Sequence, residues 1–321
     1  MLWDEPKIFF LERRYFFSII LSEFLKNRVA LHFPKECATM YRTEQWRLPP
    51  QLGEHPLTRY TPAEAAPCAR LLYFHGGGLL YGSREDLPEG HIRLFTDAGY
   101  EILAFDYPLA PAAGLDEILG FVRSAVSWAA AGQLPWSDQP LPYALWGRSA
   151  GAYLCLLTAA YGELQPRPFA LLSYYGYGFL CDGWFSRPSR HYLSLPRVDA
   201  SCLADSSSGS EGSLQTHFQR YVYARQTGCW TSLLFTGREK DFYLRGTLRA
   251  CDRLPCPLFA AHATNDPDVP FEEFLALCQR YLPQRFIVSG DVHDFDRLES
   301  YPFADALGKQ SLAFLQRHLP H

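Results

Sequence analysis

Tyr143-Ala144-Leu145-Trp146-Gly147-Arg148-Ser149-Ala150-Gly151-Ala152-Tyr153-Leu154 carries the deciding signal of this chain. Apolar residues suited to a buried strand run into Gly147-Arg148-Ser149-Ala150-Gly151, and an apolar helical pattern opens directly behind and continues to Tyr161. A serine on so sharp a strand-to-helix turn is held in a strained backbone conformation, with its hydroxyl above the sheet. Small residues on either side let strand and helix approach without a side-chain clash. The helix N-terminus behind Ser149 adds positive potential where an oxyanion would develop. In an ordinary loop the same five residues would mean nothing. Here the strand before and the helix after give them meaning.

Working outward, strand-like apolar runs at 70–74, 101–105, 143–146, 169–174, 257–262 and 284–289 alternate with helical patterns near 91–98, 116–131, 150–161, 271–281 and 303–318. Strands apolar throughout, each followed by an amphipathic helix, predict an α/β fold: a mostly parallel sheet with helices on both faces. Upstream, 39–47 and 57–60 have the pattern of a hairpin at the sheet edge. Between about 176 and 253 the rhythm breaks into Ser-, Arg- and aromatic-rich sequence, including Asp205-Ser206-Ser207-Ser208-Gly209-Ser210. A long insertion between core strands reads as a cap or lid. The expected organisation is one domain over 1–321, with an N-terminal extension at 1–69 and the inserted cap at about 176–253.

At 48% hydrophobic and 20% charged, the chain can bury a large core. A formal charge of −4 gives no reason to expect nucleic acid or an anionic membrane as partner. The nine cysteines contain no Cys-x-x-Cys and their number is odd, which fits reduced thiols in the cytoplasm better than a disulfide framework or a zinc site. The apolar N-terminus is broken by Glu12, Arg13, Arg14 and Glu23, so it lacks both the apolar core of a secretory signal and a membrane span. Phe16, Ile19, Ile20 and Leu25 suggest an amphipathic helix lying on the protein. Aromatics are dense, at 15%. Tyr174, Tyr175, Tyr177, Trp184, Phe16 and Phe17 fit either a pocket wall or a core, and composition does not separate the two.

Three consecutive glycines follow the strand Leu71-Leu72-Tyr73-Phe74, in His75-Gly76-Gly77-Gly78. Such a run costs chain entropy unless the backbone has work to do. The amides of Gly76 and Gly77, with that of Ala150 behind the serine, can donate to a developing oxyanion. A phosphate loop would need Gly-Lys-Ser/Thr or Gly-x-Gly-x-x-Gly, and neither is present. His75 is expected to pack and hold this loop. A serine nucleophile needs a base, and the base an orienting acid. In the order nucleophile, acid, base, Asp266 follows the strand at 257–262 in a proline-stiffened turn, with Asp268 its competitor, and His293 follows the last strand. Both aspartates also suit a turn or a helix N-cap.

His75-Gly76-Gly77-Gly78-Leu79-Leu80-Tyr81-Gly82-Ser83, Asp106-Tyr107-Pro108-Leu109-Ala110-Pro111, the Ser149 turn and His293-Asp294-Phe295 together resemble the hormone-sensitive-lipase-like esterases, bacterial family IV, of the α/β-hydrolase fold. The resemblance spans roughly 70–318. It implies a triad of Ser149, Asp266 and His293, with oxyanion donors Gly76, Gly77 and Ala150. It also implies ester hydrolysis through an acyl-enzyme, without metal or organic cofactor. The expected partner is a small uncharged ester with an apolar acyl or alcohol part, and a homodimer is compatible with the sequence. Arg148 stands where that family usually has an acidic residue, Ala152 where a second glycine is frequent, and Pro108 and Ala112 where a basic residue and a glutamate are usual. Amidase, peptidase or acyltransferase chemistry with the same triad stays open, as does a non-catalytic hydrolase-like binding protein.

Overall fold

Along β3 (Ala69–Phe74), Leu71 and Tyr73 enter one hydrophobic core while Leu72 and Phe74 enter the other. The two-residue period of a strand makes that division inevitable once both sheet faces are covered. The computed structural model describes residues 41–132, 134–204, 217–297 and 302–320. The expected N-terminal amphipathic helix, with Phe16 and Phe17, and the serine-rich run 205–210 lie outside the described residues.

The other strands are β1 (Tyr41–Arg47), β2 (Pro56–Pro62), β4 (Tyr100–Phe105), β5 (Tyr143–Arg148), β6 (Ala170–Tyr174), β7 (Leu258–Ala263) and β8 (Gln284–Val288). They form one eight-stranded sheet in the order β1-β2-β4-β3-β5-β6-β7-β8. β1 and β2 pair antiparallel, Tyr41 opposite Pro62, as the hairpin pattern predicts. β2 runs antiparallel to β4, and every later pairing is parallel. The two strands at 41–47 and 56–62, within the expected N-terminal extension, are therefore part of the sheet itself.

Helices α1 (Glu89–Asp97), α2 (Leu115–Ala130) and α3 (Ala150–Tyr161) follow β3, β4 and β5. Ile92 and Phe95 of α1 pack on one face, and Ile118, Val122 and Leu154 of α2 and α3 on the other. The long connection between β6 and β7 contains a one-turn helix (Arg190–Leu193), α4 (Phe218–Thr227), α5 (Trp230–Leu234) and α6 (Glu239–Arg245). Its Tyr221, Trp230 and Phe242 join the same core as α2 and α3. Then α7 (Phe271–Tyr281) precedes β8, and α8 (Pro302–His318) closes the chain. Glu273 of α7 is buried and accepts from the amides of Gly178 and Phe179, at 2.9 Å each, and from Trp184 Nε1 at 3.1 Å. These bonds anchor the start of the long connection. Among the described residues no helix is long and apolar enough to cross a membrane.

Candidate active site

Ser149 sits between β5 and α3 with φ 51° and ψ −117°, a left-handed backbone that a side-chain-bearing residue rarely adopts. Its amide donates to the Tyr174 carbonyl at 2.9 Å. The flanking glycines are needed for space: a Cβ at Gly147 would lie 2.3 Å from the Ala152 nitrogen, and one at Gly151 2.0 Å from the Phe74 carbonyl oxygen.

β3 has β4 on one side and β5 on the other, so the chain order reverses there and the strand ends open a crevice. Phe74 pairs with Gly147, which brings the loop after β3 beside Ser149. A Cβ on Gly76 would stand 3.3 Å from that of Ser149. Gly77 has φ +102° and leaves no room for a Cβ, which would meet the Tyr81 carbonyl oxygen at 1.9 Å. Among the described residues, the amides of Gly76, Gly77 and Ala150 have no carbonyl acceptor. His75 holds the loop, as expected. It is fully buried, donates from Nδ1 to the Gly76 carbonyl at 2.8 Å, and stacks on Tyr107 at 4.2 Å. The Tyr107 hydroxyl in turn donates to the His75 carbonyl at 2.9 Å.

Loops after β7 and β8 bring the other two residues in. His293 Nε2 lies 2.9 Å from Ser149 Oγ, and His293 Nδ1 lies 2.6 Å from Asp266 Oδ2. The second Asp266 oxygen accepts the amides of Asp268 and Val269 at 2.8 and 3.0 Å, so the turn fixes the carboxylate that orients the ring. Asp268 does not share that position: its Oδ2 is 3.9 Å from the other ring nitrogen, Nε2. Burial by itself would push the His293 pKa down. The charge and hydrogen bond of Asp266, then the charges of Asp268 and Asp294, outweigh it and raise the pKa to about 9.

Arg148, noted in the sequence only as a departure, is buried and works beside this constellation. Its Nη2 meets Asp296 Oδ1 at 2.9 Å and its Nε donates to the Tyr175 hydroxyl at 2.6 Å. That hydroxyl donates onward to Asp296 at 2.7 Å, and His91 Nε2 lies 3.1 Å from the second Asp296 oxygen.

Residues 71–243, more than half of the chain, match the sequence pattern of a family described as alpha/beta hydrolase fold. The chain belongs to the α/β-hydrolase fold family. It is 31% identical over 150 residues to a non-reducing polyketide synthase of Penicillium rubens, a match covering 41% of this chain and only 6% of that relative. Among solved structures, an alpha/beta hydrolase superfamily protein from Enterococcus faecalis superposes with a TM-score of 0.71 at 26% identity, over 86% of this chain and 99% of that one. A Staphylococcus aureus protein of unknown function gives 0.70 at 24%, with 86% and 99% covered. An esterase from the bacterial hormone-sensitive lipase family gives 0.62 at 19%, with 88% and 86% covered. The last two likenesses concern the fold alone.

In this α/β-hydrolase most of the aromatics among the described residues are core. Tyr174 lies in one core and bonds Ser311 Oγ at 2.8 Å, while Tyr177 lies in the other core, with Trp184 packed against it. Of the four aromatics singled out at 174–184, only Tyr175 borders the cleft at Ser149, its ring 4.6 Å from the His293 imidazole. Tyr81, which belongs to the glycine-loop motif, and Tyr221, which no motif marks, also border the cleft. Tyr221 comes from α4 and lies over Gly78, where a Cβ would meet its ring at 2.1 Å. The enclosed space is only about 20 Å³, room for about one water molecule. Asp268, Asp294 and Arg297 also line it, so the cleft is more charged than an apolar ester would require. Among the described residues no group of His, Cys, Asp or Glu side chains has the arrangement of a metal site.

Proposed function

We propose that this protein is a serine hydrolase that cleaves carboxylic ester bonds, of the hormone-sensitive-lipase-like kind. The observation that carries the reading is the hydrogen-bonded series from Asp266 through His293 to Ser149, ending on a serine in a left-handed turn beside a glycine loop. In this mechanism Ser149 Oγ attacks the ester carbonyl carbon while neutral His293 Nε2 takes its proton. Asp266 steadies the imidazolium that forms. The amides of Gly76, Gly77 and Ala150 donate to the oxyanion, where charge develops and such donors count most. His293 then protonates the departing alkoxide. Water, deprotonated by the same nitrogen, attacks the acyl-enzyme, and the acid leaves with Ser149 restored.

The reading extends to a cap at about 176–253, supported by Tyr221 of α4 lying over the glycine loop. It also extends to a cytoplasmic setting, since every described cysteine is a free thiol. The test is hydrolysis of p-nitrophenyl acetate by wild type, Ser149→Ala and His293→Ala, with fluorophosphonate labelling of the serine. A wild type that neither turns over nor labels sinks the proposal. A second reading keeps the same triad and transfers the acyl group to an acceptor other than water. Product analysis with added alcohols and thiols separates the two.

A further inference from the structure

Asp266 and Asp268 compete for one role in the sequence, yet they meet opposite edges of the imidazole. Asp266 lies 2.6 Å from Nδ1. Asp268 Oδ2 lies 3.9 Å from Nε2, the nitrogen that Ser149 Oγ meets at 2.9 Å. Asp268 is only 8% exposed and lines the same cleft as Ser149. It cannot swing away, because the Tyr221 hydroxyl reaches both its oxygens at 2.8 and 3.0 Å and Arg225 Nε stands 3.4 Å from Oδ1.

This position has a chemical consequence that rests on the proposed acyl transfer. The leaving-group oxygen must come to His293 Nε2, which returns its proton. Atoms one or two bonds beyond that oxygen then lie against Asp268, whose carboxylate stands 3.9 Å from the same nitrogen. We infer that Asp268 reads the leaving group and selects esters of alcohols bearing an O–H or N–H donor next to the scissile oxygen. A carboxylate offers about four lone-pair sites, and Tyr221 supplies one proton to them. A hydroxyl or ammonium on the leaving group fills a vacant site. An alkyl group pressed there removes water from the carboxylate and returns nothing. Sites built to bond a substrate hydroxyl reject analogues lacking it for this reason. A carboxylate that served only to hold α4 through Tyr221 and Arg225 would show no dependence on the leaving group.

The experiment compares kcat/KM of the full chain for 2-hydroxyethyl acetate, 2-methoxyethyl acetate and propyl acetate. The second matches the first closely in leaving-group acidity, and the third matches it in shape. Wild type is expected to favour the hydroxyethyl ester over both by at least about tenfold. In Asp268→Ala that ratio falls to near one. Asp268→Asn keeps the shape and the Tyr221 bond, guards against misfolding of the alanine variant, and is expected to give an intermediate ratio. A ratio near one in a wild type that hydrolyses p-nitrophenyl acetate and labels with fluorophosphonate overturns the role of Asp268 and leaves the esterase reading intact. So does an unchanged preference in folded Asp268→Ala. A wild type without turnover or labelling overturns both.

Discussion

Arg148 Nη2 lies 2.9 Å from Asp296 Oδ1, with neither side chain more than 1% exposed. Arg148 immediately precedes Ser149 and Asp296 follows His293 by three residues, so this buried pair joins the two loops whose tips meet at Ser149 Oγ and His293 Nε2. Burial would raise the Asp296 pKa, but the charge of Arg148, with the contacts of His91 and Tyr175, holds it far below the usual carboxylate range.

Replacing Asp296 with Asn leaves Arg148 buried without its principal charge partner. The expected loss is about 3–5 kcal/mol of unfolding free energy, measured by urea denaturation. In the variant that still folds, kcat falls more than KM rises, because the relation of His293 to Ser149 is disturbed rather than substrate contact. Arg148→Met combined with Asp296→Leu regains much of the stability, since no unpaired charge remains. A single variant as stable as wild type removes the stapling role.

His293 must be neutral to accept the serine proton, and its pKa is raised to about 9. The rising limb of kcat/KM against pH is therefore expected well above the ordinary histidine value, near pH 9. Asp268→Asn removes one of the facing carboxylates and moves the limb to lower pH. For folding the sign is opposite: the histidine contributes fully below the ordinary histidine value of about 6.5 and loses its contribution as pH rises through about 9. A limb near 6.5 in both proteins contradicts this.

Asp266→Asn removes the acceptor that holds the Nδ1 proton and favours the wrong tautomer. It should lower kcat by about 10³- to 10⁴-fold, measured on p-nitrophenyl acetate with folding checked by circular dichroism. Asp268→Asn should cost far less on this substrate. Equal losses would mean that the two carboxylates act as one unit.

Gly77→Ala places a methyl against the Tyr81 carbonyl at a φ of +102°, so the loop must shift and its amides with it. A loss of about 10²- to 10³-fold in kcat is expected, with a smaller change in melting temperature. Gly151→Ala drives a Cβ to 2.0 Å from the Phe74 carbonyl, between α3 and β3. There the main effect should be a lowered melting temperature.

Much of the architecture was legible because burial on both sheet faces leaves a periodic mark. The expected run at 143–146 became β5 (Tyr143–Arg148), and the helix expected at 150–161 became α3 (Ala150–Tyr161). The elements of the long connection were not legible. Its α4 carries Arg220, Tyr221 and Arg225 as buried residues, a polar pattern that does not announce a core helix.

The residue types and their chain order determined by themselves that a serine turn, a glycine loop, an acid and a histidine would lie at strand ends of an α/β sheet. Local backbone demands write such features into short stretches of sequence. Tertiary structure alone decided which carboxylate meets which ring nitrogen. It decided that Arg148 is paired with a residue 148 positions away, and that among the described residues most aromatics are core, with Tyr175, Tyr81 and Tyr221 also walling the cleft. Those outcomes depend on distances between loops that are remote in sequence, and no local pattern encodes a distance across the sheet.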